Sequence, residues 1–248
     1  MTVEMIFVLT GAFAGGFVAG LTGFGTGITA LIFWLQAVPP AVASPLVVIC
    51  SVIGQLQTLH RIWHAIQWKN VLPYIVGGLA GVPFGTYLLS QVSVGAFKTS
   101  VGVLLIVYCT FTLLKRVDVK IAWGGRAADS AVGLGGGILG GLAGTSAPLP
   151  TIWTGLRGME RHARRGVLQT YNLSILFFAM VSQAFAGFIT LEVLKYVLIA
   201  FPGTVAGAWI GRWVYDRLSD ARFGQAVLAV LLFSGVMLTY SGIRAVYP

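Results

Sequence analysis

The sequence contains a glycine-rich motif that occurs twice, as GGFVAGLTGFGTG at residues 15–27 and as GGILGGLAGTS at residues 136–146. The copies align without a gap over their first nine residues, at a shift of 121. Each copy interrupts a long apolar segment. A further set of glycines repeats at a shift of 126, with Gly77, Gly81 and Gly85 matching Gly203, Gly207 and Gly211. Internal duplication over this length predicts a protein built from two related halves.

The composition of the chain excludes a soluble protein. Of its 248 residues, 57% are hydrophobic and only 9% are charged, and the mean hydropathy is +0.88. A soluble domain carries about 25% charged residues, so this chain cannot cover a surface that faces water. The net charge of +9 comes from basic residues between apolar runs, a placement typical of membrane loops. Nucleic acid is therefore not an expected partner.

Eight apolar segments follow one another along the chain, and they are continuous rather than alternating, which indicates membrane helices of roughly 20 residues. They cover residues 5–38, 41–60, 71–89, 94–114, 130–156, 166–189, 193–215 and 223–243. The sequence thus predicts an all-α polytopic membrane protein with one transmembrane domain over residues 1–248. Repeat one covers about residues 5–114 and repeat two about 129–246, and the first segment of each repeat is broken.

The distribution of basic residues favours an inverted arrangement of the two halves over a parallel one. If every segment crosses once, the 16 basic residues divide equally between the two faces. If each broken segment is a hairpin that returns to its own side, only Lys98, Lys195 and Arg244 lie on one face. The hairpin arrangement agrees with the excess of Lys and Arg in cytoplasmic loops. It predicts that both termini are periplasmic.

The broken segments are candidate binding elements for an anion. A helix that starts inside the membrane presents free N–H groups and the positive end of its dipole. In the second copy, Thr145-Ser146-Ala147-Pro148 predicts such a start, with a hydroxyl N-cap followed closely by proline. The corresponding start in the first copy is Gly25-Thr26-Gly27. The alternative is that these glycines only allow helices to pack closely.

Polar residues inside the second segment of each half are further candidates. Ser51 and Asn172 correspond at the shift of 121, and Gln55 lies one helical turn after Ser51. Buried hydroxyls and amides need hydrogen-bond partners, which a substrate or a neighbouring helix can supply. The complete predicted substrate-binding set is Gly23, Gly25, Thr26, Gly27, Ser51, Gln55, Gly144, Thr145, Ser146 and Asn172.

Several kinds of chemistry have no residues to support them. All seven carboxylates lie in loops or at segment ends, and the chain has no GxxxxGK[ST] motif, so neither a proton relay nor ATP use is predicted. His60 and His64 have no third ligand nearby, so no metal site is predicted. We therefore expect no enzyme activity and no cofactor. The expected partners are a small anion and the lipid bilayer, and the sequence is compatible with a homodimer.

The paired motifs at residues 15–27 and 136–146 resemble those of the sulfite exporter TauE/SafE family, and the resemblance extends over the whole chain in length and segment number. One departure is Phe24-Gly25-Thr26, where the family often has a longer glycine cluster. The resemblance implies export of sulfite, a sulfonate or a similar sulfur anion across the bacterial inner membrane. Since the cell interior is negative, the membrane potential alone can drive such export. The alternative is a non-transporting membrane scaffold or a membrane-embedded enzyme.

Overall fold

A computed structural model describes residues 3–22, 25–62, 66–113, 123–215, 232 and 235–245. The elements within these residues are α-helices. They are α1 (Val3–Thr22), α2 (Thr26–Ala37), α3 (Pro40–Ile62), α4 (Trp68–Gln91), α5 (Val94–Leu113), α6 (Gly125–Ala143), α7 (Pro148–Leu156), α8 (Arg161–Phe185), α9 (Leu191–Tyr215) and α10 (residues 235–245).

Five of the described helices are long and apolar enough to cross a membrane. The spans are Val3–Leu21, Pro40–Gln57, Trp68–Gln91, Val94–Thr112 and Leu191–Val214. Large apolar side chains are also exposed on the outside of the helix bundle, among them Phe84 and Trp209, each 65% exposed. A water-facing surface would not carry them in such number. The chain is therefore a multi-pass helical membrane protein.

Helices α1 and α2 form one hairpin, helices α6 and α7 form another, and a tryptophan joins the two helices of each hairpin. In the first hairpin, α2 folds back along α1, and Trp34 Nε1 donates a hydrogen bond of 2.9 Å to the Val8 carbonyl oxygen. In the second hairpin, α7 folds back along α6, and Trp153 Nε1 donates to Asp129 Oδ1 at 2.7 Å. Val8 and Asp129 occupy matching positions of the sequence repeat.

Glycine allows the chain to turn at the tip of each hairpin. Gly25 has φ of 104° immediately before α2, and Gly144 has φ of 65° immediately after α6. A Cβ disfavours this left-handed backbone conformation, whereas glycine adopts it readily. The glycine-rich motif therefore determines where each membrane helix ends and where the chain turns back.

The two hairpins pack through glycine contacts against helices that are distant in the sequence. The hairpin helix α1 packs along α9, and the hairpin helix α6 packs along α4. At ten glycines of these contacts, an added Cβ would lie closer than 3.0 Å to a carbonyl oxygen of the partner helix. They are Gly16, Gly20, Gly77, Gly81, Gly85, Gly133, Gly137, Gly141, Gly207 and Gly211. In both pairs the contacts advance in the same direction along the two helices, so each pair is parallel. Small residues at this spacing let helix backbones approach closely in a membrane.

The two ends of the bundle differ in charge. Tyr74 packs against Tyr171, and Ser182 donates to Thr86, so α8 runs parallel to α4 and their first residues share one end. This end, called the basic end below, carries Lys69, Arg126, Arg157, Arg164, Arg165 and Arg212. The opposite end carries Lys98, Lys195 and Arg244.

One carboxylate ties the second hairpin to α4 near the basic end. Asp129 Oδ1 accepts hydrogen bonds from Tyr74 at 2.7 Å, Trp153 at 2.7 Å and Arg157 at 3.0 Å. The last contact is an ion pair with partly exposed side chains. Arg157 thus has a structural contact in addition to its place in a basic loop.

Replacing Gly81 by alanine tests the glycine contact between α4 and α6. The new Cβ would overlap the Leu134 carbonyl oxygen, so the helices must separate, and we expect the free energy of unfolding to fall by about 1–3 kcal/mol. Gly54→Ala is the matched control, because a Cβ there meets nothing within 4 Å. SDS-induced unfolding in mixed micelles measures both variants, and equal stability of the two would contradict close packing at Gly81.

Candidate functional site

The tips of the two hairpins meet inside the bundle. A Cβ on Gly27 would lie 2.8 Å from the Gly144 carbonyl oxygen and 3.1 Å from the Thr145 methyl group. A cavity of about 10 Å³ lies beside this contact, roughly the room that one water molecule needs. Its walls come from the starts of α2 and α7 and from α3 and α8. The lining residues are Gly25, Thr26, Gly27, Ile28, Ser51, Gln55, Gly144, Thr145, Ser146, Ala147, Pro148, Asn172 and Leu176.

The cavity lies about halfway through the bundle. Thr26 packs against Gly15 of α1, and the next α1 glycine, Gly16, packs against Thr204. Thr204 is close to the midpoint of α9, a helix long enough to cross a membrane. The second tip touches the first, so it lies at the same depth. The described residues on either side of the two helix breaks thus lie within the bundle, where protein can enclose a break at membrane depth.

The structure brings together nine of the ten residues that the sequence predicts as a binding set. Gly23 lies outside the described residues, and the other nine all line the cavity. Their role in binding stays a prediction. The cavity also includes Ile28, Ala147, Pro148 and Leu176, which the sequence analysis did not select. Leu176 was detectable in principle, because it corresponds to Gln55 at the shift of 121.

The start of α2 supplies backbone donors to the cavity wall. Gly25 is the N-cap and makes no side-chain capping bond. The bond from the Thr29 N–H to the Gly25 carbonyl oxygen, at 3.1 Å, is the first of the helix. The N–H groups of Thr26, Gly27 and Ile28 precede it and have no partner within the helix. This terminus therefore offers three donors and the positive end of a helix dipole.

The start of α7 differs from the prediction. The helix does begin at Pro148, but its N-cap is Ala147 without a side-chain capping bond, so the predicted hydroxyl N-cap is wrong. The physical reason is that the Ser146 hydroxyl donates instead to Asn172 Oδ1 of α8. Pro148 and Pro150 have no N–H group, so Leu149 is the one donor among the first three helix residues. The start of α2 therefore offers three backbone N–H donors among its first three residues, whereas the start of α7 offers one.

The two polar residues of the helices that flank the tips have different surroundings. Asn172 Oδ1 accepts from Ser146, and the amide nitrogen keeps two N–H donors. Ser51 is 3% exposed, and its hydroxyl has no hydrogen-bond partner among the described residues. An unpaired buried hydroxyl is unfavourable. The Ser51 hydroxyl is therefore available to a molecule in the cavity.

The cavity is polar but uncharged. Among the described residues that line it there is no Asp, Glu, Lys, Arg or His. No group of three His, Cys, Asp or Glu residues that could hold a metal occurs in the described part of the chain, and the side chains of His60 and His64 lie outside it. The lining offers N–H and hydroxyl donors together with a helix dipole. Such a set is chemically suited to an anion.

Two helical hairpins that meet tip to tip at a polar cavity, halfway through a membrane bundle, are typical of membrane transporters. The family model described as sulfite exporter TauE/SafE matches residues 7–238. The chain belongs to this family, which is a family of membrane transporters. Searches of curated proteins and of solved structures each returned no significant match.

Proposed function

We propose that the protein is a secondary transporter that moves a small sulfur-containing oxyanion, such as sulfite or a sulfonate, across the bacterial inner membrane. Membership of the TauE/SafE family supports the class of protein and of substrate. The observation that carries the proposed site is the unpartnered Ser51 hydroxyl in a cavity between two helix N-termini. The substrate-binding residues are the nine cavity-lining residues of the predicted set.

The donors around the cavity suit an oxyanion better than a cation or a neutral solute. The backbone N–H groups at the start of α2, the Ser51 hydroxyl and the Asn172 amide are hydrogen-bond donors, and a helix N-terminus favours negative charge. None of the described lining residues is charged. Transport requires that binding be weak enough for the substrate to leave, and an uncharged site meets this condition.

The size of the cavity implies that the hairpin tips move during transport. Room for about one water molecule is too little for an ion of four or more heavy atoms. Each tip belongs to a hairpin that is packed against a helix of the other half, α1 with α9 and α6 with α4. We propose that these two units separate at the tips to admit the anion.

Helix directions support an inverted arrangement of the two repeats. The start of α3 and the end of α2 lie opposite the basic end, because α3 leads directly to the start of α4. Since α1 is antiparallel to α2, α1 begins at that opposite end, whereas α6 begins at the basic end. The first helices of the two repeats therefore run in opposite directions, as in transporters with inverted repeats.

The charge difference between the bundle ends supports a cytoplasmic basic end and periplasmic termini. We expect a cysteine at position 120, which lies between α5 and α6 in the sequence, to react with a membrane-impermeant thiol reagent only after cells are permeabilised. A cysteine at Lys98 is the matched control and should react in intact cells. Labelling of the Lys120→Cys variant, but not of Lys98→Cys, in intact cells would reverse this topology.

A second prediction concerns the hydroxyl in the cavity. Ser51→Ala should raise the KM for sulfite about tenfold or more, because a hydrogen bond to a charged group contributes about 1.5–3 kcal/mol. Ser100→Ala is the control, since the exposed Ser100 hydroxyl bonds to its own helix. Flux of radiolabelled sulfite into proteoliposomes measures both variants.

An unchanged KM in folded Ser51→Ala protein would remove this residue from the site.

We expect Thr145→Val and Ser146→Ala to weaken sulfite uptake more than Gly203→Ala, because Gly203 packs against α1 away from the cavity. If wild-type proteoliposomes carry neither sulfite, sulfonates nor thiosulfate, a non-transporting membrane protein becomes the better account.

The membrane potential should drive export. One elementary charge that crosses 100 mV gains about 2.3 kcal/mol, so an anion leaves a negative interior without a coupled ion. We expect sulfite efflux from proteoliposomes to rise with a negative interior potential, set by a potassium gradient and valinomycin at matched pH without sodium. Efflux that ignores this potential, or that needs a proton or sodium gradient, would show that the protein is a coupled carrier.

A further inference from the structure

A basic side chain lies between the cavity and the basic end. Arg164, in the first turn of α8, reaches α7 and donates a hydrogen bond of 3.0 Å to the Thr151 carbonyl oxygen. Thr151 follows the cavity-lining Pro148 by three residues, a rise of about 4.5 Å along α7. The Arg164 guanidinium is therefore about one helical turn from the cavity.

This guanidinium has no counter-ion among the described residues. The ion pair found there joins Arg157 to Asp129, and no described carboxylate lies within 4.0 Å of Arg164. Its Nε is buried and has no hydrogen-bond partner in the part of the chain that the structure describes. The uncharged phenol of Tyr108 in α5 lies near it. A half-buried positive charge without a negative partner is unfavourable and attracts an anion.

Other buried polar groups on the same side of the cavity also lack partners. Within the described residues, the Thr151 hydroxyl has no hydrogen-bond partner, and neither polar atom of the Gln169 amide has one, although Gln169 is only 2% exposed. Gln169 precedes the cavity-lining Asn172 by three residues and shares its face of α8. Unsatisfied groups of this kind need water or a polar ligand. The polar lining thus continues from the cavity towards the basic end.

The other side of the cavity is filled by apolar contacts and by hydrogen bonds between helices. Val47 is fully buried and packs against both Gly27 and Gly144, on the side of the hairpin tips that faces away from the basic end. Farther along α8, Gln183 Nε2 donates to Ser44 at 3.0 Å and to the Gly141 carbonyl oxygen at 2.8 Å, while Gln183 Oε1 has no hydrogen-bond partner among the described residues. The described conformation therefore favours approach to the cavity from the basic end.

We propose that Arg164, together with Thr151 and Gln169, forms a second anion-binding position, which an oxyanion occupies between the basic end and the cavity. The inference rests on the proposed function for the direction of passage, but binding at Arg164 is a separate property. The guanidinium offers Nε–H and remaining amino N–H donors to the oxygens of the anion. It supplies the full positive charge that the cavity lining lacks.

The test compares Arg164→Gln with Arg165→Gln. Arg165 is adjacent and exposed, so the control removes the same charge from the same end of the bundle. Sulfite flux is measured in proteoliposomes with sulfite on the side of the basic end. We expect Arg164→Gln to raise the KM about tenfold or more, the effect of losing a charged hydrogen bond, and Arg165→Gln to change it less than twofold. Equal KM values in the two variants would overturn the proposal.

Arg164→Lys keeps the test available if Arg164→Gln does not fold. Lysine retains the charge but lacks the planar set of donors, so we expect a KM between those of wild type and Arg164→Gln, at least threefold above wild type. A wild-type KM in Arg164→Lys would contradict binding through the guanidinium donors.

A binding measurement separates this inference from the proposed function. Sulfite that binds the folded protein raises its melting temperature in detergent, whether or not the protein transports it. Loss of this stabilisation in Arg164→Gln but not in Arg165→Gln supports the inference even if wild-type proteoliposomes show no flux. Wild-type protein that sulfite does not stabilise, or equal stabilisation of both variants, overturns it. If the wild-type protein transports sulfite, and Ser51→Ala impairs the flux whereas Arg164→Gln does not, the proposed function stands and the inference is rejected.

Discussion

A helix that breaks inside a membrane leaves backbone N–H and carbonyl groups that hydrocarbon cannot satisfy. This protein contains two such breaks, and the rest of the structure depends on enclosing them. The breaks face each other, so that each hairpin tip is covered by the other tip and by α3 and α8. The same exposed N–H groups that make the breaks unfavourable in lipid make the enclosed space suitable for an anion.

Close glycine packing is what holds the tips in this position. The contacts of α1 with α9 and of α6 with α4 bring helix backbones together over several turns, so each hairpin and its partner helix form one unit. Trp34 and Trp153 join the two helices of their own hairpins by hydrogen bonds to Val8 and Asp129, which are matching positions of the repeat. The contact between the tips is small by comparison. Relative movement of the two units at the tips is therefore the simplest way to open the cavity.

The sequence predicted the positions of the helix breaks and the residues that meet around them, because both depend on local rules and on the internal repeat. Glycine and proline determine where α1 and α6 end, and the shift of 121 relates Ser51 to Asn172. The hydroxyl N-cap was wrong because a tertiary partner, Asn172, takes the Ser146 hydroxyl. The contact of Arg164 with Thr151 was not predicted, since nothing local to residues 161–165 distinguishes this arginine from its neighbours.

Anomalous diffraction from crystals grown with selenite, the selenium analogue of sulfite, tests most directly whether the hairpin tips form an anion site. We expect a selenium peak in the cavity, with selenite oxygens within hydrogen-bond distance of the Ser51 hydroxyl and of backbone N–H groups at the start of α2. A cavity that stays closed and holds no selenium, in protein that transports selenite, would contradict it.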